Sequence, residues 1–428
     1  MQNRLYWNKE LETVTPIKLK ELQLERLTSL MGHAYAHSEF YRKQWDSISL
    51  HPGDIQRLDD YFKKVPFITK SQIIENQAQT PPFGTFLAES LEKINCTYYS
   101  PGPLLVPFSR DDYDHMVDQC ATCLYICGAR EEDIVDITFN YHWVLAGTTL
   151  DSAFRRIGCN VIPGGVGQTK THVEILKLTR ATIIFAFPTF AQTLAQTALD
   201  MGLDPAKDLN VRLIIVTGEI RSEQDKVGLA KTFGAEVREL YATNEIGWVA
   251  AECEYGGGMH FYADNILEII DPQTKEQVQP GISGEIVSIC FGRKVMPIIR
   301  YRTGDLTEGI SEGPCPCGRH SPKIKRILGR VSDVPRIKGM FVAPRQVAQV
   351  VERFKELGRF QIIVDRPDIR DELIIRIEHR GKEKTRDLEN ILISELKAAI
   401  RLTARVELVE EGSISPDEPV VQDRRKIQ

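Results

Sequence analysis

Long apolar runs are missing from this chain of 428 residues. The longest, such as Ile183 to Phe187, fall far short of the ~20 residues a helix needs to cross a bilayer, so no membrane span is expected. A secretion signal is missing as well. Met1-Gln2-Asn3-Arg4-Leu5-Tyr6-Trp7 has no apolar core, and a cytoplasmic location is the expectation. Neither sign of charge is in marked excess: 54 Lys and Arg stand against 59 Asp and Glu, net −5. That balance offers nucleic acid no basic surface, and no such partner is expected. Internal repeats and low-complexity stretches are absent. Nine cysteines without a secretion signal do not make a disulfide framework. They pose a different question: which bind metal, which react and which fill core.

What is present is ordinary for a soluble globular protein, with 42% hydrophobic and 26% charged residues. The length exceeds one compact core, so two or more domains are expected. Residues 11 to 45 read as helical. Ile134 to Phe139, Asn160 to Pro163, Thr182 to Ala186 and Leu213 to Val216 read as buried strands, with helices between them, Leu150 to Ile157 among these. This β-α-β punctuation means a largely parallel sheet covered by helices. Past Tyr255, short strands (Leu267 to Ile270, Gly284 to Val287, Pro297 to Tyr301) alternate with Gly/Pro turns, which suits an antiparallel or barrel-like subdomain over 255–329. After a boundary near Gly329-Arg330 come a helix (Val347 to Leu357), two strands (Arg359 to Val364, Glu372 to His379), a second helix (Lys384 to Ile400) and a strand (Ala404 to Val409). That order suits a small α+β domain over 330–428.

Several segments together resemble phenylacetate-CoA ligases, aryl-acid members of the adenylate-forming enzymes. Tyr6 to Glu12, Leu22 to Leu27 and Pro66-Phe67-Ile68-Thr69-Lys70 look like that family's opening. Arg300-Tyr301-Arg302-Thr303-Gly304-Asp305 is the strongest match. The resemblance implies an α/β adenylate-forming fold: a large N-terminal domain (1–329) with mixed and parallel sheets, and a small mobile α+β domain. It implies that Asp305 accepts the ribose hydroxyls, a task suited to a group with acceptors only. The plainer reading of the hexapeptide is a strand-to-turn segment. In Tyr241-Ala242-Thr243-Asn244-Glu245 the resemblance has Tyr241 pack on adenine and Glu245 assist Mg²⁺, with Ala242 where glycine is usual. Thr217-Gly218-Glu219 and Phe187-Pro188-Thr189 match pocket edges, so Pro188, Thr189, Gly218 and Glu219 are expected there. Each is equally an ordinary strand-end loop, and strand ends are where parallel sheets bind ligands. Phe139-Asn140-Tyr141-His142-Trp143 aligns with an aromatic pocket segment. Tyr141 and Trp143 would suit a planar acid or a core. His142 is a candidate base or a packing residue. Arg330 is retained, and Ser332 with Asp333 takes the hinge position.

Cys315-Pro316-Cys317, Cys253 and His260 supply three thiols and an imidazole, enough for a tetrahedral structural zinc site. His320 is a rival ligand to His260. Cys120, Cys123 and Cys127 sit in a helical stretch and read as buried core.

Two parts of the resemblance are broken. Phosphate-binding loops of this family place backbone N–H groups, small residues and a lysine around the ATP phosphates. Here the matching stretch, Tyr98, Tyr99, Ser100 and Gly102, is degenerate: Tyr98 and Tyr99 replace small residues, Gly102 takes the lysine position, and Pro101 and Pro103 remove two donors. The family's C-terminal catalytic lysine is also missing. Ser413 to Arg425 contains none, Asp417 and Glu418 bring the wrong sign, and Lys426 is out of register. Both losses strike adenylation and spare the acyl pocket. ATP and Mg²⁺ are therefore not expected as cofactors. The reading is an acyltransferase that passes an aroyl group, anthraniloyl or similar, from CoA to the pantetheine of an acyl carrier protein in a polyketide-type secondary pathway. Arg336, Lys338, Arg345 and Arg353 would either dock that acidic partner or form a solvated face. The alternatives are an ATP-dependent aryl-acid CoA ligase with a rebuilt loop and a non-catalytic partner of an active ligase.

Overall fold

The computed structural model describes residues 5–219, 223–337, 340–366, 371–380, 386–400 and 402–425. Lys338 and Lys426 lie outside these. The chain forms two compact units. One is made chiefly of residues up to Glu219, Gln224–Thr303 and Glu308–Arg326, and the other holds Gly304–Thr307 and the chain from Ile327 on.

The first unit opens with helices Lys9–Glu12, Pro16–His37 and Glu39–Asp46. A hairpin follows, β1 (Cys96–Ser100) and β2 (Leu104–Phe108), paired in antiparallel register from Cys96 opposite Phe108 to Ser100 opposite Leu104. Helix α1 (Arg110–Cys127) starts on an N-cap in which Ser109 accepts from the Asp112 N–H at 3.1 Å, and stops at Gly128 in the left-handed region. Cys120, Cys123 and Cys127 are buried in it, as expected for core, and burial pushes the Cys127 thiol up to about 12.

The main sheet has nine strands. Its parallel half holds β3 (Ile134–Ile137), β4 (Asn160–Ile162), β5 (Ile183–Ala186), β6 (Leu213–Val216) and β7 (Glu236–Thr243), ordered β7-β6-β5-β3-β4. Every residue of β5 and β6 is buried. Unbroken apolar runs such as Ile183-Ile184-Phe185-Ala186 are what a strand covered on both faces requires. Helices α2 (Leu145–Ile157), α3 (Thr169–Thr179) and α4 (Pro188–Asp200) alternate with these strands. Antiparallel strands complete the sheet, beginning with Gly247–Glu252 beside β7 and Met259–Phe261 next. A smaller sheet joins Leu267–Ile270, Gly284–Cys290 and Ile298–Thr307, with Ile68–Thr69 added in parallel. Among the described residues this is an open path whose neighbours Leu267–Ile270 and Gly284–Cys290 pair antiparallel, the antiparallel form of the subdomain expected there.

In the second unit, Gly304–Thr307 pair with Ile327–Arg330, which sets Asp305 opposite Arg330. A four-stranded sheet (Leu357–Asp365, Glu372–His379, Arg405–Glu410, Val421–Asp423) packs against helices Pro344–Val351 and Arg386–Ile400 through a core that includes Val347, Ile375, Leu392 and Leu396. The first of these helices stops at Val351, six residues short of the expected Leu357. Short turns from Arg353 N to Val350 O and from Leu357 N to Phe354 O break it, and Leu357 opens the strand instead.

Candidate functional site at the strand ends

The ligand edge of a parallel sheet is the carboxyl end of its strands. At the end of β6, Gly218 has φ 81°, and a Cβ there would stand 2.4 Å from the Phe187 ring. Glycine is therefore required for the two strand-end loops to meet. The Glu219 carboxylate accepts the Thr189 N–H at 3.0 Å, at the start of α4, and also the Thr189 hydroxyl. Pro188, the first residue of α4, is buried. The structure thus brings Pro188, Thr189, Gly218 and Glu219 together. At the end of β7, Tyr241 and Glu245 are buried and Ala242 is half-buried.

The hairpin carries the segment read as an altered phosphate loop. Its strands pair up to Ser100 and Leu104, so only Pro101-Gly102-Pro103 remain as a turn. Tyr98 stacks against Tyr113 (6.3 Å between centroids) and meets Phe108 edge-on (5.8 Å), while Thr148 of α2 donates to its phenol at 2.9 Å. Burial raises this phenol above the ordinary tyrosine range. Tyr99 is partly exposed, and its N–H donates to the Trp143 carbonyl at 2.7 Å.

Ser100, already singled out within the altered loop, is a hub whose partners the sequence does not show. Its hydroxyl accepts from Lys70 Nζ at 2.8 Å and from Asn244 Nδ2 at 3.1 Å, and donates to Glu245 Oε1 at 3.1 Å. Lys70 Nζ also lies 3.2 Å from that carboxylate. A Cβ built on Gly102 would come within 3.8 Å of Lys70 Nζ. Lys70 therefore brings an ammonium beside the position that lost its lysine. Beneath lies Arg293, a fully buried guanidinium 4.1 Å from the Phe108 ring centroid that donates to the Glu245 carbonyl at 3.2 Å. Burial holds its pKa below the usual arginine value.

The aromatic segment after β3 is more open than a pocket lining. Tyr141 is half-buried and donates to Asp151 at 3.2 Å. The His142 ring is exposed and has no hydrogen bond among the described residues. Trp143 is 78% exposed.

In the second unit, Arg330 donates to Asp305 Oδ1 at 2.6 Å, so an internal cation already holds the expected ribose acceptor. Ser332 donates to Asp333 at 2.7 Å, and both are exposed. The expected docking patch needs correction. Arg345 is buried and points a guanidinium N–H at the Ile327 carbonyl (3.5 Å), and Arg353 pairs with Glu395 at 2.6 Å. Arg336 opens the strand Arg336–Ile337.

The cysteines and histidine expected to bind zinc converge. The ligand atoms of Cys253, His260, Cys315 and Cys317 all lie within 4.8 Å of one another, and His260, not His320, completes the group. Cys253 Sγ is 3.7 Å from Cys315 Sγ, and Cys317 Sγ is 3.3 Å from His260 Nε2. Ser321 takes the other ring nitrogen at 3.4 Å, which leaves Nε2 facing the cluster. Hydrogen bonding from Cys253, and then from His260, draws the Cys317 thiol well below the ordinary thiol range. The knuckle is clipped to the N-terminal segment by Tyr6, which donates to the Cys317 carbonyl at 3.0 Å, and by the buried Arg319–Glu12 pair at 2.6 Å.

A family model described as AMP-binding enzyme C-terminal domain matches residues 339–425. The phenylacetate-coenzyme A ligase of Thermus thermophilus is 30% identical over 382 residues, covering 87% of this chain and 84% of that protein. The enzyme of the same name from Aromatoleum evansii is 29% identical over 420 residues, covering 94% and 93%. An open conformation of 2-hydroxyisobutyryl-CoA ligase, solved with 2-HIB-AMP and CoA, shares the fold with a TM-score of 0.87 at 24% identity, over 99% of this chain and 95% of that one. The relatives lend no support to the expected absence of ATP and Mg²⁺. Among the described residues, no helix is long and apolar enough to cross a membrane.

Proposed function

Because the chain belongs to the phenylacetate-coenzyme A ligase family, a family of acid–thiol ligases, we propose that it carries out the thioester half of that chemistry. In this reading it passes an aroyl group from CoA to the pantetheine thiol of an acyl carrier protein, without ATP. The acceptor sulfur attacks the acyl carbonyl, the bond from that carbon to the CoA sulfur breaks, and the acceptor's proton ends on the released CoA thiol. Binding both thioester and thiol in reach of each other supplies the main acceleration, and no nucleotide is needed. His142, whose ring is free of internal hydrogen bonds among the described residues, is the nominated base.

The observation that carries the reading is the hairpin. Tyr98 and its three neighbours occupy a position where phosphates need open space and inward N–H groups, and Pro101 and Pro103 have no N–H to offer. ATP–pyrophosphate exchange with benzoate, anthranilate and phenylacetate tests it. Background rates with all three acids are expected, and acid-dependent exchange at the rate of a ligase would contradict the proposal.

A second reading, an ATP-dependent aryl-acid CoA ligase, is favoured by Lys70 beside Gly102 and by the activity named for the relatives. In it Lys70 would replace the lost cation, and Tyr241, Glu245, Asp305 and Arg330 would keep the roles that the resemblance implies.

We also propose that Cys253, His260, Cys315 and Cys317 hold a structural zinc. Three sulfurs and an imidazole nitrogen that already face one another suit Zn²⁺ better than a hard cation. The metal would tie the knuckle to strands Gly247–Glu252 and Met259–Phe261.

A further inference from the structure

The hairpin is fastened to the segment after β3 at two points, Tyr98 with Thr148 and Tyr99 N–H with the Trp143 carbonyl. The second fastening has an unusual centre. Trp143 has φ 67°, and the Val144 N–H donates to the His142 carbonyl at 2.7 Å. A hydrogen bond across three residues with positive φ at the middle is the rarer, strained form of γ-turn. A bulky residue seldom occupies that region, and glycine would fit it without strain.

The surrounding backbone holds the turn firmly. The His142 N–H donates to Asn140 Oδ1 at 2.9 Å, and the Gly147 N–H to the Asn140 carbonyl at 3.2 Å. A Cβ on Gly147 would stand 2.4 Å from that carbonyl, so the start of α2 is pressed against the turn. The indole gains no ring contact or hydrogen bond from this among the described residues. It is 78% exposed and, like the ring of Tyr99 at 39%, makes no ring contact among the described residues. Strain is thus spent to hold an aromatic ring in water, at the ligand edge of the sheet and beside the altered phosphate loop.

We propose that Trp143, with Tyr99 on the adjoining backbone, is a stacking platform for a planar ring of the substrate, either the aroyl group or the adenine of its CoA carrier. The inference rests on the aroyl-thioester reading for the identity of the ligand. It deepens that reading: residues that close the phosphate site give the ring of a thioester substrate a surface to stack on. Aromatic faces suit this because they offer area at little conformational cost and favour offset stacking.

Tryptophan fluorescence tests it directly. Trp45 and Trp248 are buried, and Trp7 is partly buried against Tyr125 at 5.9 Å. Emission quenched by acrylamide therefore comes mainly from Trp143, and Trp143→Phe verifies the assignment. The probes are benzoyl-pantetheine, which lacks adenine, and acetyl-CoA, which lacks an aroyl ring. At least one is expected to shield Trp143, halving the acrylamide quenching constant, and the one that does identifies the ring. Trp143→Ala should weaken its binding by about two- to tenfold, and Trp143→Phe should keep most of it. Trp143→Gly should weaken binding equally yet raise the melting temperature, because it relaxes the turn. Shielding by neither probe, or full affinity in Trp143→Ala, would overturn the proposal. Shielding without any carrier acylation would leave the platform standing and sink the transferase reading. Acylation without shielding would do the reverse.

Discussion

Replacing Lys70 by methionine isolates the hub of the site. Methionine keeps the length of the lysine stem and removes its charge. Lys70 Nζ stands 2.8 Å from Ser100 Oγ and 3.2 Å from Glu245 Oε1, and the Glu245 side chain is 7% exposed. Breaking a fully buried pair costs about 3–5 kcal/mol, because a charge is left without its partner. Lys70 is 28% exposed, and Ser100 still donates to Glu245, so water and one hydrogen bond offset part of the loss. We expect about 1–3 kcal/mol, comparable to one charge-assisted hydrogen bond. Urea melts of Lys70→Met, Glu245→Gln and the double variant measure it as a cycle. A coupling of about 1–2 kcal/mol is expected, since the two residues touch. Additive single effects, or a Lys70→Met penalty below about 0.5 kcal/mol, would refute the account of Lys70 as the tie between the hairpin and the end of β7.

Three other outcomes follow from the geometry. His172 points Nδ1 at Asp136 Oδ2 (2.7 Å) and Nε2 at the Gly165 carbonyl (3.1 Å), so both ring nitrogens face acceptors, an arrangement that favours the protonated ring. Burial alone would lower its pKa, but the hydrogen bond and charge of Asp136 more than offset this and raise it. A raised folded pKa contributes stability that is fully present below the unfolded value of about 6.5 and lost as pH rises through the folded value. His172→Gln should therefore cost more at pH 6 than at pH 9 in urea melts, and an equal cost at both would contradict the assignment. Tyr98→Ala should destabilise by about 1–3 kcal/mol through lost packing, yet restore no ATP–pyrophosphate exchange, because Ser413 to Arg425 still offers no lysine. Appearance of exchange in that variant would show that the tyrosine alone blocks adenylation. Metal analysis should find stoichiometric zinc in the purified protein, lost in Cys317→Ser together with a fall in melting temperature; a metal-free wild type whose melting is unmoved by added zinc would remove the zinc proposal.

The legible parts of this fold are those set by one local pattern. Leu213 to Val216 is an unbroken apolar run bounded by polar residues, and β6 spans those same residues. The helix read as Val347 to Leu357 overran because Phe354 and Leu357 extend its apolar spacing. Four-residue turns starting at Val350 and Phe354 end it, and the period gives no sign of them. The cluster proposed to hold zinc was legible because the Cys-Pro-Cys knuckle fixes two of its members, but only the structure decides between His260 and His320. Lys70 was not legible as a site residue. Its partners Ser100 and Glu245 lie 30 and 175 positions away, and the tertiary packing that brings the three together is not encoded in any one neighbourhood. The resemblance leaves Trp143 as either a pocket or a core residue. What sets its position is a backbone turn imposed by Tyr99 and Asn140, which composition does not reveal.

The central claim is transfer without ATP, and intact-protein mass spectrometry tests it most directly. The purified protein is mixed with anthraniloyl-CoA or benzoyl-CoA and a pantetheinylated carrier protein, with no nucleotide, and the mass of the carrier is followed. The account predicts an enzyme-dependent gain of one aroyl group on the carrier. An unchanged carrier, together with aroyl-CoA formed from free acid only when ATP is added, would contradict it and make the protein a ligase like its relatives.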